Sequence, residues 1–153
     1  MPEIFSTQGE AAVGTNKTII NLFNSVASPT KRGAIFDILV GCAATPADQA
    51  TKFFVQRSTA VGTEASGFVP ANVDPGGPAV GEYDSGIAHS AEPTYTASKQ
   101  LLAFSLNQRA TFRWVAAPGS ELKMTATQNN GAGLYSASGT GTAIHQGCIL
   151  FYE

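Results

Sequence analysis

The sequence predicts an all-β fold, an antiparallel two-sheet β-sandwich of jelly-roll-like winding, from three observations. Its apolar residues fall in short runs rich in β-branched and aromatic side chains, those runs are separated by Gly, Pro and Asn turn chemistry, and almost nothing repeats at a helical period. In chain order the runs are 16–24 (NKTIINLFN), 33–41 (GAIFDILVG), 51–58 (TKFFVQRS), 99–107 (KQLLAFSLN), 110–117 (ATFRWVAA), 120–127 (SELKMTAT) and 142–152 (TAIHQGCILFY). An eighth strand is expected near GLYSAS, from 133. Within 110–117, alternation places Phe112, Trp114 and Ala116 on one face and Thr111, Arg113 and Val115 on the other.

Between these strands, LNQR (106–109) reads as a tight hairpin. APGS (117–120) has Pro and Gly where a type II turn wants them, and QNNGAG (128–133) carries an Asn-Gly signal for positive φ. The sequence therefore predicts consecutive antiparallel strands, in a single domain over 16–153 preceded by an arm over 1–15. Residues 59–98 are dense in Gly, Pro, Ser and Ala with isolated large apolar residues, and predict one long irregular loop lying across its own sheet or a neighbour.

A chain of 153 residues can bury a core without a metal or disulfide. Its charged fraction of 13 % is about half the usual one, so part of the surface is expected to be covered in the working state. With a net charge of −2 and no basic run longer than Lys31-Arg32, nucleic acid is not an expected partner. Neither is a membrane, because the N-terminus has no signal-peptide pattern and no apolar stretch approaches a span. Synthesis and retention in cytoplasm are expected. Cys42 and Cys148 sit in apolar runs and read as buried free thiols; a disulfide would need their strands to be neighbours.

Catalytic chemistry has little to draw on. His89 and His145 are the only ready general bases, and His145 with Cys148 three residues on would point to opposite faces of a strand. No G-x-S-x-G, HExxH or CxxC spacing occurs, the GAG and GTG strings lack the strand and helix of a phosphate loop, and the carboxylates are dispersed. Glu82 and Asp84 could chelate an ion from a shared strand face, but a solvated face is the favoured reading. No enzyme, cofactor or metal is expected. Arg113 faces away from Phe112 and Trp114, which spoils a stacking platform for single-stranded nucleic acid but suits an interface.

The segments IFSTQGEAAVGTNKTIINLFN (4–24), ATPADQATKFFVQRSTAVGT (44–63) and LNQRATFRWVAAPGSELKMTATQNNGAGL with the terminal GCILFYE resemble small virion proteins of tailed bacteriophages, above all head decoration (cement) proteins with a β-sandwich fold. The resemblance covers most of the chain in texture and order. It implies a non-enzymatic protein of the capsid exterior, made in the host cytoplasm, that bridges capsomers as a homotrimer, with the major capsid protein as partner. By position, the contact residues would be Phe68, Val69, Tyr83, Ile87 and Tyr95 in the long segment, Ile4 and Phe5 in the arm, and Arg113 on the exposed sheet face. A jelly-roll carbohydrate- or receptor-binding module of a virion is the alternative. It would need Trp114, Tyr83, Tyr95 or Tyr135 exposed for stacking on sugar rings.

Overall fold

The computed structural model describes residues 2–153, the side chain of Ser66 excepted, and consists of twelve strands with no helix among the described residues. They are β1 (Ile4–Ala12), β2 (Lys17–Asn24), β3 (Ala34–Ala44), β4 (Ala50–Ala60), β5 (Thr63–Phe68), β6 (Ala71–Asn72), β7 (Tyr83–Ala91), β8 (Thr94–Asn107), β9 (Phe112–Val115), β10 (Leu122–Lys123), β11 (Gly131–Ser138) and β12 (Ile144–Tyr152). One sheet runs β10-β3-β12-β1-β6, with β9 also on β3; the second runs β5-β7-β2-β11-β4-β8. We call them sheets I and II. Every pairing is antiparallel.

The winding is that of a jelly roll. The first four strands pair in reverse order with the last ones: β1 with β12, β2 with β11, β3 with β9 and β10, β4 with β8. This long ribbon is wrapped so that successive pairs fall on alternate sheets, and β12 then meets β3 while β11 meets β4. Among the described residues no two consecutive strands pair, which corrects the expected hairpins. At 106–109 the chain does turn, with the Ala110 amide on the Asn107 carbonyl (2.9 Å), but it passes from sheet II to sheet I. The 117–120 turn holds as predicted: the Ser120 amide reaches the Ala117 carbonyl (2.8 Å) and Gly119 has φ 85°. It links β9 to β10, two pieces of one edge strand on β3. At 128–131 the positive φ falls on Asn129, one residue before the expected Asn-Gly pair.

Two further expectations are overturned. Residues 4–12 are no arm but β1, seated between β12 and β6, with Phe5 and Thr7 buried. Its inward residues Phe5, Thr7 and Gly9 are mixed in polarity, so the period of two carried little hydrophobic signal. Residues 59–98 are no single loop either: they give the end of β4, all of β5, β6 and β7, and the start of β8, and only 73–82 runs long without a strand. Cross-strand partners hold this segment in place of side-chain periodicity. β7 lies on β2, β5 lies on β7, and Tyr83 enters the core with its oxygen accepting the Gly33 amide (2.7 Å).

The core lies between the sheets. Phe5, Ile35, Ile38, Val40, Ile149 and Phe151 face inward from sheet I, against Ile20, Leu22, Phe53, Val55, Tyr83 and Leu134 of sheet II. Burying each such side chain is worth about 1.5–3 kcal/mol before ordering costs. Toward one end, Phe53 stacks on Phe104 (5.4 Å between centroids) and Phe104 on Phe112 (4.1 Å), while His145 meets Phe53 edge-on. His145 is thus a core ring, its pKa pushed down by burial. Nearby, buried Gln108 ties three segments, accepting from the Ala47 amide and donating to Thr51 and the Thr140 carbonyl.

Candidate functional site

Alternation along β1, β12, β3 and β9 sends one set of side chains to the core and the other to the outer face of sheet I. Register orders that outer face into rows: Ile4 beside Tyr152; then Ser6, Leu150, Asp37 and Val115; then Gln8, Cys148, Leu39 and Arg113; then Glu10, Gln146 and Gly41. Exposed apolar side chains stand on it among polar ones. Ile4, Leu39 and Val115 are 39 %, 41 % and 55 % exposed, and Phe36 stacks on Tyr152 at 5.7 Å and 24°. Pro2, Ile4, Phe36, Ala116, Pro118 and Tyr152 line an open depression of about 330 Å³, with Glu121 at its margin. Glu121 accepts the Gly119 amide (3.0 Å), which holds its carboxyl below the usual range.

One ion pair joins β9 to β3 on this face. Arg113 Nε lies 3.1 and 3.2 Å from the two carboxylate oxygens of Asp37, and Nη2 reaches the same carboxylate. The carboxylate is buried and the guanidinium largely exposed, so the pair neutralises a charge that would otherwise sit unpaired beneath an apolar surface. Phe112 and Trp114 face inward and are half-buried, as the alternation predicted. The rim of the face beside β6 adds Val69 and Val73, 66 % and 54 % exposed; the Val73 amide bonds the Ile4 carbonyl (2.9 Å). Phe68, half-buried, shares a shallow cleft with Gln8, Glu10 and Ile87.

The expected contact residues therefore divide. Ile4, Val69 and Arg113 are on the outer face of sheet I or its rim, with Phe68 and Ile87 partly covered at its border. Phe5 and Tyr83 are buried in the core and cannot touch a partner. Tyr95 is used internally: it stacks on Tyr135 at 4.4 Å and 19°, bonds Thr18 (2.8 Å), and burial pushes its hydroxyl well above the usual tyrosine range. With Trp114 inward and Tyr135 buried as well, none of the four aromatics needed for a sugar platform is free on the surface. Leu39, Val115, Phe36 and Tyr152 were missed as contact residues. Their alternation was readable in 33–41, 110–117 and 142–152, but sequence alone does not say which side of a two-sheet strand has a second sheet above it.

The remaining polar clusters have structural explanations or none. Glu82 accepts the Thr30 hydroxyl and the Thr30 and Lys31 amides, which lower its pKa to about 2, so it clamps the 25–32 loop. Glu153 accepts the Gly81 and Glu82 amides and Lys31 Nζ (3.1 Å), fastening the C-terminus to the same place. Glu64 and His89 are cross-strand neighbours. The Val61 carbonyl lies near His89 without ordinary hydrogen-bond geometry, and Glu64 Oε2 and both His89 nitrogens are buried without a partner. Burial, with Asp84 adding to it for Glu64, raises the Glu64 pKa, and burial lowers that of His89, so both are biased toward neutrality. No group of three His, Cys, Asp or Glu side chains able to hold a metal occurs among the described residues.

Cys42 and Cys148 are both free. Cys148 lies opposite Leu39, three residues along β3 from Cys42, which puts the two roughly 10 Å apart and beyond disulfide reach. They are half-buried rather than buried: Cys148 is on the outer face of sheet I, and Cys42, opposite His145, lies toward the end of β3. No family model, curated protein or solved structure matches the chain.

Proposed function

We propose that this chain is a non-enzymatic structural protein of a tailed-phage head, a decoration protein that binds the assembled shell from outside as a homotrimer and bridges its capsomers. The observation that supports this best is the outer face of sheet I. A six-strand surface carrying Ile4, Phe36, Leu39, Val115 and Tyr152 has no covering among the described residues, and its one ion pair is internally neutralised. Contiguous apolar surface of this kind marks a site of association rather than a solvated face. A protein that binds the shell and not free subunits stabilises the shell by mass action, and burial of this face needs no moving part.

The experiment is co-sedimentation of the purified protein with mature heads of the phage that carries it, together with a search for the chain in purified virions. Saturable binding to heads, absent with unassembled capsid subunits, is expected. Absence from virions, or equal binding to free subunits, would overturn the proposal.

A further inference from the structure

The two edges of sheet I differ in charge and match in apolarity. The β1/β6 edge exposes Val69 and Val73 and carries Glu10, which is exposed and in no ion pair among the described residues. The β9 edge exposes Val115, has Leu39 beside it on β3, and carries Arg113 and Arg109. Heights along the strands agree as well. Val73 is bonded at the level of Ile4, and Val115 lies in the next row, with Ser6. Glu10 lies in the row of Gln146 and Gly41, with Arg113 one row below it and Arg109 just past it at the turn into β9. Three acids temper the basic edge: Asp37 already pairs with Arg113, Asp48 accepts from Asn107 near Arg109, and Glu121 is occupied by the Gly119 amide with Lys123 nearby, which leaves Arg109 as the cation in no ion pair among the described residues.

We propose that these edges bind each other between copies of this chain: the β1/β6 edge of one protomer docks on the β9 edge of the next, valine on valine and Glu10 beside Arg109. The inference rests on the reading above in taking a trimer as the closed form. A rotation axis running roughly along the strands preserves height, so the apolar and charged levels stay in register from copy to copy and a head-to-tail contact closes into a ring. Complementarity between two edges of one molecule points to a second copy, because an unrelated partner would need only one of them. The central rows of sheet I, Tyr152, Leu150 and Cys148, lie between the edges and stay open toward the shell.

The test uses Val73→Asp and Val115→Asp, both at exposed positions, with thermal unfolding confirming that each variant folds. The parent should sediment as a trimer at micromolar concentration and each variant alone as a monomer. An equimolar mixture should give a one-to-one dimer, joined through the intact β9 edge of the first variant and the intact β1/β6 edge of the second. Glu10→Arg should weaken the trimer roughly fivefold or more, and Arg109→Glu in the same chain should restore it. The inference is overturned if either aspartate variant stays trimeric, if the mixture remains monomeric, or if the parent is a monomer at about 100 µM. Head binding separates the two ideas: trimers that ignore heads sink the decoration role and leave this contact, whereas a monomer that decorates heads does the reverse.

Discussion

Each sheet carries a stacked aromatic pair on its outward side, and the chain treats the two oppositely. On sheet II, Tyr135 is covered by Tyr95, which arrives from an irregular stretch of β8 where the register with β4 jumps from Gln100 opposite Gln56 to Tyr95 opposite Ser58. The cover is hydrogen-bonded throughout: Tyr135 to Gln56, Gln56 to the Thr96 carbonyl, Tyr95 to Thr18, and Ser58 to Asn21 (2.8 Å). On sheet I, Phe36 and Tyr152 stack in the same manner and border an open depression that nothing among the described residues fills. The difference teaches where the protein is finished and where it is not. A bulge with polar partners seals one outer face against water, while the other keeps apolar side chains exposed at a standing cost in solvation that association would relieve.

Truncating one ring from each pair should break this comparison most visibly. Tyr95→Ala removes a half-buried ring, uncovers Tyr135 and leaves the Thr18 hydroxyl without its partner, so a loss of about 3 kcal/mol is expected in chemical denaturation. Tyr152→Ala, on the open face, should cost about 1 kcal/mol or less in the isolated chain and show its effect in association instead. Equal losses would mean that sheet I is as well covered as sheet II. A smaller and more local change sharpens the same point. Gly133 lies directly under Tyr95, where a Cβ would come 2.6 Å from the ring, so Gly133→Ala must push the cover outward. A loss of about 1–3 kcal/mol is expected, together with increased access of water to Tyr135, read by fluorescence quenching.

The smallest effect concerns acid. Glu82 is held at a pKa of about 2 by the Thr30 hydroxyl and the Lys31 amide, below its unfolded value. A depressed folded pKa contributes stability that is fully present above the unfolded value and disappears as pH falls from about 4.5 to about 2. Glu82→Gln should remove that part of the acid dependence and hasten amide exchange at Thr30 and Lys31, and should leave the outer face of sheet I unchanged. An unaltered acid profile would show that the clamp contributes nothing in solution.

Much of the scaffold was legible because its strands are paired on one hydrophobic face. The runs 33–41, 51–58 and 142–152 became β3, β4 and β12, and the Phe112/Trp114 and Arg113/Val115 alternation survived intact. β1 was hidden because its inward positions are Phe5, Thr7 and Gly9, and β5 to β7 because Gly and Ser stand where a strand predictor looks for Val and Ile. Such segments are held by backbone ladders to β2, β7 and β12, which are long-range and leave little mark on local composition.

By itself, then, the sequence determined the all-β class, the type II turn at Pro118-Gly119, the inward and outward sets on the regular strands, and a surface poor in charge. These follow from side-chain period, backbone φ and composition, which are properties of neighbours in the chain. Only the tertiary structure decided that no consecutive strands pair among the described residues, that Tyr83 and Tyr95 are consumed internally, and that Arg113 meets Asp37 across 76 residues. It also decided which face is left bare. A strand's alternation says that it has two sides; what lies above each side depends on where the ribbon wraps and where β8 bulges, and those are set by contacts between residues far apart in sequence.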